Sequence, residues 1–445
     1  MVELQNCRKK RKKELRPSLS AILQSSLPAI AWVLVPAALL SQAAPSLSKH
    51  DRDLVLVMLR SARADVEKYY YDPTFHGVDL KAQLARSEQK LRTAASLSDA
   101  FSIVSDFLSQ FDDSHTVFVP PTAGRLVDYG WQMAIVGDRA LITDVEPGSD
   151  AAARGLAPGD RVLLLNGVTP SRGNASRIGY YYRYIRPQAR QRVAVLKPNG
   201  SAATVDVVSR LRGRRIIDEN DVLSDANELI ERGRDRGAEI GGKVLVWKMS
   251  VFARPESVDE MMARAASRQA LVLDLRGNGG GSVEALRELV SRCYDRDVIV
   301  AVETRRDGKG APTIARPAKN PFSGRLIVLV DSRSASAAEM FARIAQIEKR
   351  GQVLGDVTAG AVMRSRLLSH RADSMTSAAL YGTSVTVADV HMSDGGTLEK
   401  IGVEPDEIVL PTQADLAAGR DPVLARAIEL AGATVSPEEA GRLFK

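Results

Sequence analysis

The sequence predicts an α/β core preceded by a helical segment and a small β domain. Gly242-Lys-Val-Leu-Val-Trp, Ala270-Leu-Val-Leu-Asp-Leu and Arg325-Leu-Ile-Val-Leu-Val-Asp are uninterrupted apolar runs, the mark of strands buried on both faces of a sheet. Helical patterns around 256–268, 282–294 and 336–349 separate these runs. Residues 125–210 change instead to short strands and glycine turns.

The 445 residues suit about two or three domains. With 44% apolar and 26% charged residues, the chain is neither wholly disordered, nor collagen-like, nor a multi-span membrane protein. Two cysteines, Cys7 and Cys293, exclude a disulfide scaffold and a Cys-rich zinc module. The five histidines (His50, His76, His115, His370, His391) show no HExxH or similar spacing, which argues against a zinc hydrolase. No metal or organic cofactor is expected. The net charge of +7 is mostly local, since residues 1–16 carry +5 and residues 17–44 carry none. The remainder is close to neutral, so no nucleic-acid-binding face is expected.

The basic run precedes an apolar stretch, Leu27–Leu40, and then Ser41-Gln-Ala43. Basic, apolar, small is the order of an export signal. Fourteen apolar-core residues with two prolines are short for a membrane span, which needs about 20. Cleavage would leave Cys293 as the one thiol, in a helical stretch that reads as buried structure. An uncleaved signal would instead tether the chain to a membrane. Either way the expected location is periplasmic or otherwise extracytoplasmic.

Along the rest of the chain, residues 50–110 read as helical. Leu54, Val57, Met58 and Val66 lie at helix spacing, and Tyr69–Gly77 interrupts. A second helical region follows, ending at the acidic turn Asp112-Asp-Ser-His-Thr and a short apolar strand. Within 125–210, Val145-Glu-Pro-Gly-Ser begins a strand, a turn and a short helix from about Ser149. Gly155 stops it, and Asn166-Gly167 closes a hairpin. Its Pro-Gly-Ser-x-Ala, Gly-Leu, Gly-Asp and Asn-Gly pattern resembles a PDZ domain, which implies capture of peptide C-termini at a sheet edge. Asp128-Tyr-Gly-Trp131 is the nearest match to a carboxylate loop. The expected organisation is a signal over 1–44, a helical domain over 45–120, a PDZ-like domain over 121–210, the core over 211–430 and a tail over 431–445.

Two strand-to-helix junctions carry chemistry. Leu273-Asp-Leu-Arg-Gly-Asn-Gly-Gly-Gly-Ser282 places four glycines in five positions after a buried strand. Such a turn turns backbone N–H groups outward, either as a phosphate cradle or as an oxyanion hole. It lacks the GxxxxGK[ST] spacing. The second, Val330-Asp-Ser-Arg-Ser-Ala-Ser-Ala-Ala-Glu339, sets serines at a helix start. There a free amide favours developing negative charge, and a serine equally serves as a helix cap.

Taken together, Asp274–Gly281, Ser334–Glu339, Gly355-Asp-Val-Thr-Ala-Gly360 and Gly402-Val-Glu-Pro-Asp406 resemble the C-terminal processing, or tail-specific, serine protease family. The resemblance implies a ClpP/crotonase-like α/β core and places the nucleophile at Ser336. Sequence alone does not choose it over Ser334. The lysine-using branch of the family has its general base where this chain has Ala361, and the nearby Arg364 and Arg366 are poor bases. The chain looks like the tricorn-like branch, with a Ser–His–Ser–Glu arrangement. That implies His115 as base, Ser114 as the serine before it, and Glu399 as the acidic group acting through a second serine. The oxyanion donors implied are the amides of Ala337 and Gly280. The expected function is an exported serine endopeptidase that cleaves unstructured or C-terminal regions of polypeptides through an acyl-enzyme. The alternative is an inactive, peptide-binding pseudo-protease.

Overall fold

The computed structural model describes residues 47–121, 126–212, 235–373 and 378–444. The expected signal and Cys7 lie outside the described residues. Among the described residues no helix is long and apolar enough to cross a membrane.

The three apolar runs form the centre of one six-stranded sheet. Its order is 407–408, 351–355, 325–330, 270–274, 244–248, 236–240. All neighbours are parallel except the last pair. The parallel strands are added in one direction, and right-handed crossovers then put their helices on one face. Pro255–Ala265, Val283–Cys293 and Ala337–Ile347 pack there around Trp247, Leu273, Leu289 and Phe341. Pro422–Leu430 covers the other face through Val423, Leu424, Ala427 and Ile428. Burial on both faces explains why these strands are apolar at every position. Cys293 is free and buried, and burial pushes its thiol up to about 12, so it is an inert packing residue.

The helical segment comprises Lys49–Tyr69, Leu80–Arg92 and Leu97–Ser109. Ser48, Asp79 and Ser96 cap these helices, each satisfying an otherwise unpaired first-turn amide. Their shared core holds Val55, Tyr70, Phe107, Phe111 and Phe118. The last two flank the Asp112–Val117 loop and are fully buried. Each contributes about 1.5–3 kcal/mol of burial, enough to pin both ends of that loop. The strand Val117–Val119 then pairs with Ala378–His391, whose partner in a long hairpin is Met363–Asp373.

Residues 126–212 contain a five-stranded antiparallel sheet, Trp131–Val136 at one edge and Ala202–Val208 at the other. It has its own apolar cluster, including Ile142, Val162 and Val193. The expected short helix is Asp150–Ala153, capped by Ser149. Asn166 and Gly167 both have positive φ, as a two-residue hairpin turn needs. The sheet meets the core through Arg172, which donates to Asp356 at 3.0 Å and to the Val357 carbonyl at 2.7 Å. The Ile135 N–H of its edge strand donates to Ser332 Oγ at 3.1 Å.

Candidate active site

Parallel strands deliver their C-terminal ends to one rim of the sheet, so the turns after 270–274 and 325–330 become neighbours. Hydrogen bonds lace them together. Gly277 N–H donates to Asp331 Oδ1 at 2.8 Å, Ala335 N–H to the Asn278 carbonyl at 2.9 Å, and Ser334 Oγ to the Leu275 carbonyl at 2.8 Å. Ser334 is fully buried, and its hydroxyl is committed to this lacing.

Ser336 is different. It stands before the helix Ala337–Ile347 with φ 54° and ψ −119°, a conformation that costs a non-glycine residue about 1–3 kcal/mol. A strained serine at a strand-to-helix turn is the geometry that exposes a nucleophilic hydroxyl. Its backbone is fixed by donation from its N–H to the Ala361 carbonyl at 3.0 Å and to Glu339 Oε2 at 3.1 Å. The next amide, Ala337 N–H, begins the helix and has no acceptor among the described residues.

Gly280 sits directly against this serine. A Cβ added to it would lie 2.6 Å from Ser336 Cβ and 3.1 Å from Ala337 N, at a φ of +95°. Its own N–H donates to Asn278 Oδ1 at 2.8 Å, so in this structure that amide is engaged. Gly280→Ala is expected to displace Ser336 and lower kcat about 10²-fold or more. Comparing kcat with the unfolding midpoint of the same protein checks that the loss is local.

Sequence reasoning did not assign a role to Glu339. Its carboxylate is fully buried and accepts from Thr358 Oγ1, Gly360 N–H, Ala361 N–H and Ser336 N–H at 2.5–3.1 Å. Burial pushes its pKa up, and these donors pull against that. It ties the serine turn to the Gly355–Gly360 loop. The signal was present: Ser336-Ala-Ala-Glu339 has capping-box spacing. Asn278 and Thr358, which complete the lacing, gave no such signal.

The loop before Val117 arrives from the helical segment. Asp113 Oδ1 accepts from the N–H groups of His115 and Thr116 at 2.9 and 2.7 Å and from Thr386 Oγ1 at 2.7 Å. Its Oδ2 accepts from the Tyr70 hydroxyl at 2.9 Å. This fixes the backbone that presents Ser114 and His115. Ser114 Oγ donates to Glu399 Oε2 at 2.8 Å and lies 2.6 Å from His115 Nδ1. Ser114 N–H donates to Glu399 Oε1 at 2.9 Å, and Val362 N–H to Oε2 at 2.9 Å.

A hydroxyl has one proton. With that proton given to Glu399, the bond to His115 requires Nδ1–H as donor, which leaves Nε2 unprotonated. Burial lowers the His115 pKa, with Asp113 opposing. Burial raises that of Glu399, opposed by Ser114 and Val362. The structure thus brings together Ser114, His115 and Glu399, and brings together Ser336, Ala337 and Gly280. The two groups join at Ala361 and Val362, whose carbonyl and amide reach Ser336 and Glu399 respectively. No hydrogen bond links Ser336 Oγ to His115 among the described residues. No group of three metal-ligating side chains occurs among them either.

Residues 243–409 match the profile of Peptidase family S41. The chain is 25% identical over 379 residues to a carboxyl-terminal-processing protease of Picosynechococcus sp., covering 81% of this chain and 83% of the relative. Its fold is shared with mature CPAF solved in complex with lactacystin, at a TM-score of 0.61 and 15% identity over 83% of this chain and 96% of that one. It is shared also with the photosystem II D1 C-terminal processing protease, at 0.51 and 17% over 86% and 99%. Residues 243–409 therefore carry a Peptidase family S41 domain, and the chain is similar over most of its length to the carboxyl-terminal-processing proteases.

Proposed function

We propose that this protein is an exported endopeptidase that attacks unstructured or C-terminal polypeptide segments with Ser336, using His115 in place of a lysine as general base. The observation that carries the reading is Ser114, which bridges His115 Nδ1 and Glu399 and so leaves Nε2 as the basic nitrogen. A hydroxyl needs such a partner to act as a nucleophile near neutral pH, and a neutral imidazole is suited to it.

On this reading His115 Nε2 takes the Ser336 proton as Oγ attacks the scissile carbonyl. The oxyanion is held by Ala337 N–H, with Gly280 N–H as second donor once Asn278 releases it. Each donor is worth about 2.7–4 kcal/mol at the transition state. His115 returns the proton to the leaving amine, and the acyl-enzyme is hydrolysed by water through the reverse sequence. The residue at 361 contributes its carbonyl and N–H only, so an alanine suffices there. The 121–210 module, read as PDZ-like, supplies peptide C-terminus capture at a sheet edge.

The engaged Gly280 amide and the missing Ser336–His115 bond favour one rival, a peptide-binding pseudo-protease. Labelling with a serine-reactive fluorophosphonate decides between them. Covalent modification mapped to Ser336, and abolished in His115→Ala, is expected. A protein that cleaves no unstructured polypeptide and takes up no probe is the pseudo-protease.

A further inference from the structure

Near the loop that carries His115, the end of the helix Lys49–Tyr69, residues 305–307 and the hairpin Met363–Asp373 with Ala378–His391 border an open hollow of about 420 Å³. Lys68, Arg305, Arg306 and Arg366 line it, and Asp307 is the single acid among its lining residues. Arg305 is paired with Glu303 at 2.5 Å. Lys68, Arg306 and Arg366 have no carboxylate partner among the described residues.

These three cations are nevertheless held in place. The Arg366 guanidinium lies 5.2 Å from the Tyr69 ring centroid, and Lys68 Nζ lies 4.8 Å from it. Arg306 sits 5.4 Å from the Phe75 ring and donates from Nη1 to the Glu67 carbonyl at 2.7 Å. Stacking on aromatic rings limits the freedom of long basic side chains. Less ordering remains to be done when an anion arrives. Four bases against one lining acid leave an excess of positive charge, and an incoming anion relieves the repulsion among them.

One strand links the hollow to the loop that carries His115. Val387 lines it. The preceding residue, Thr386, donates from Oγ1 to Asp113 and accepts at its carbonyl from Tyr71 N–H. The strand and helix end that hold the His115 loop therefore also build the hollow. Asp307 within it, and exposed Glu67 at its edge, would repel a flat anionic membrane but not a single carboxylate entering between the cations.

We propose that this hollow is a subsite for glutamate and aspartate side chains of the polypeptide substrate, an assignment that rests on the protease reading above. It makes the enzyme selective for segments carrying acidic residues near the cleaved bond.

The test uses the full chain and an unstructured fluorogenic peptide with a run of four glutamates before or after the cleavable segment. A glutamine counterpart serves as reference. One glutamate version is expected to show a KM about fivefold below its counterpart at low salt, with kcat unchanged. The difference should close as salt rises to about 0.5 M. Combining Lys68→Gln, Arg306→Gln and Arg366→Gln should erase it, making the KM values of the two peptides equal. Equal KM values in wild type, or a preference that survives in the triple variant, overturn the subsite.

Binding of the labelled glutamate peptide to Ser336→Ala protein, read by anisotropy, separates the two assignments. Binding that depends on the three bases supports the subsite even where cleavage fails. Binding indifferent to them sinks the subsite while the protease stands. Sedimentation with phosphatidylserine vesicles that requires the three bases, without peptide preference, reassigns the hollow to a membrane and overturns the proposal.

Discussion

Ser336→Ala protein is expected to lose about 10⁶-fold in kcat on an unstructured polypeptide, the scale of removing the nucleophile from a serine protease. Its unfolding midpoint should stay close to wild type. The anchors of the turn are backbone groups, Ser336 N–H on the Ala361 carbonyl and on Glu339, and alanine keeps both. The Ala337 amide also survives, so slow turnover above the rate in water should persist. Ser334→Ala is the matched control. It removes a buried hydroxyl that donates to the Leu275 carbonyl and accepts from Asp331 N–H, which should cost about 1–3 kcal/mol of stability. The enzyme that still folds should keep its nucleophile. Full activity in Ser336→Ala with none in folded Ser334→Ala would move the nucleophile by two residues, the choice that sequence leaves open.

The legible and illegible parts of this molecule differ in kind. Strands 244–248, 270–274 and 325–330 could be read because burial on both faces demands apolar residues at every position. The three crossover helices followed from the segments between them. The adjacency of the glycine and serine turns was implied only by the family resemblance; its cause, parallel strands ending on one rim, is seen in the structure. The hairpin Met363–Asp373 with Ala378–His391 was not read. Met363–Asp373 carries Arg364, Ser365, Arg366, Ser369 and His370, and Leu367 within it is exposed, so no apolar run marks it. At the site, Ser114 was named but its bond to Glu399 was not derivable. The two are 285 positions apart, and nothing local in either stretch specifies the other. Glu339 was legible as a capping partner. Its further role, binding Thr358, Gly360 and Ala361, depends on a loop brought in by the sheet. Asn278 gave still less, since an asparagine among glycines reads simply as a turn residue.

His115→Ala should cost about as much as Ser336→Ala, and the double variant little more, because base and nucleophile act as one unit. The pH dependence is the sharper readout. Activity on this mechanism needs His115 neutral and Glu399 ionised. Burial lowers the His115 pKa below its ordinary 6.5, so its base form persists to lower pH than a solvated imidazole would allow. Burial raises the Glu399 pKa above its ordinary 4.5, so the carboxylate takes its proton earlier than usual as pH falls. The two shifts bring the ionisations toward each other. The acid limb of kcat/KM should therefore fall more steeply than a single ionisation allows where the two overlap, with apparent values that belong to the pair. Glu399→Gln removes one of the two ionisations and weakens the hold on Ser114. Its limb should relax to a one-proton slope, with kcat down about 10²–10⁴-fold. Asp113→Asn removes the charge that opposes burial at His115, so it should move the limb further toward acid. A Glu399→Gln enzyme with wild-type kcat and an unchanged limb would remove that carboxylate from the relay and leave His115 to act without it.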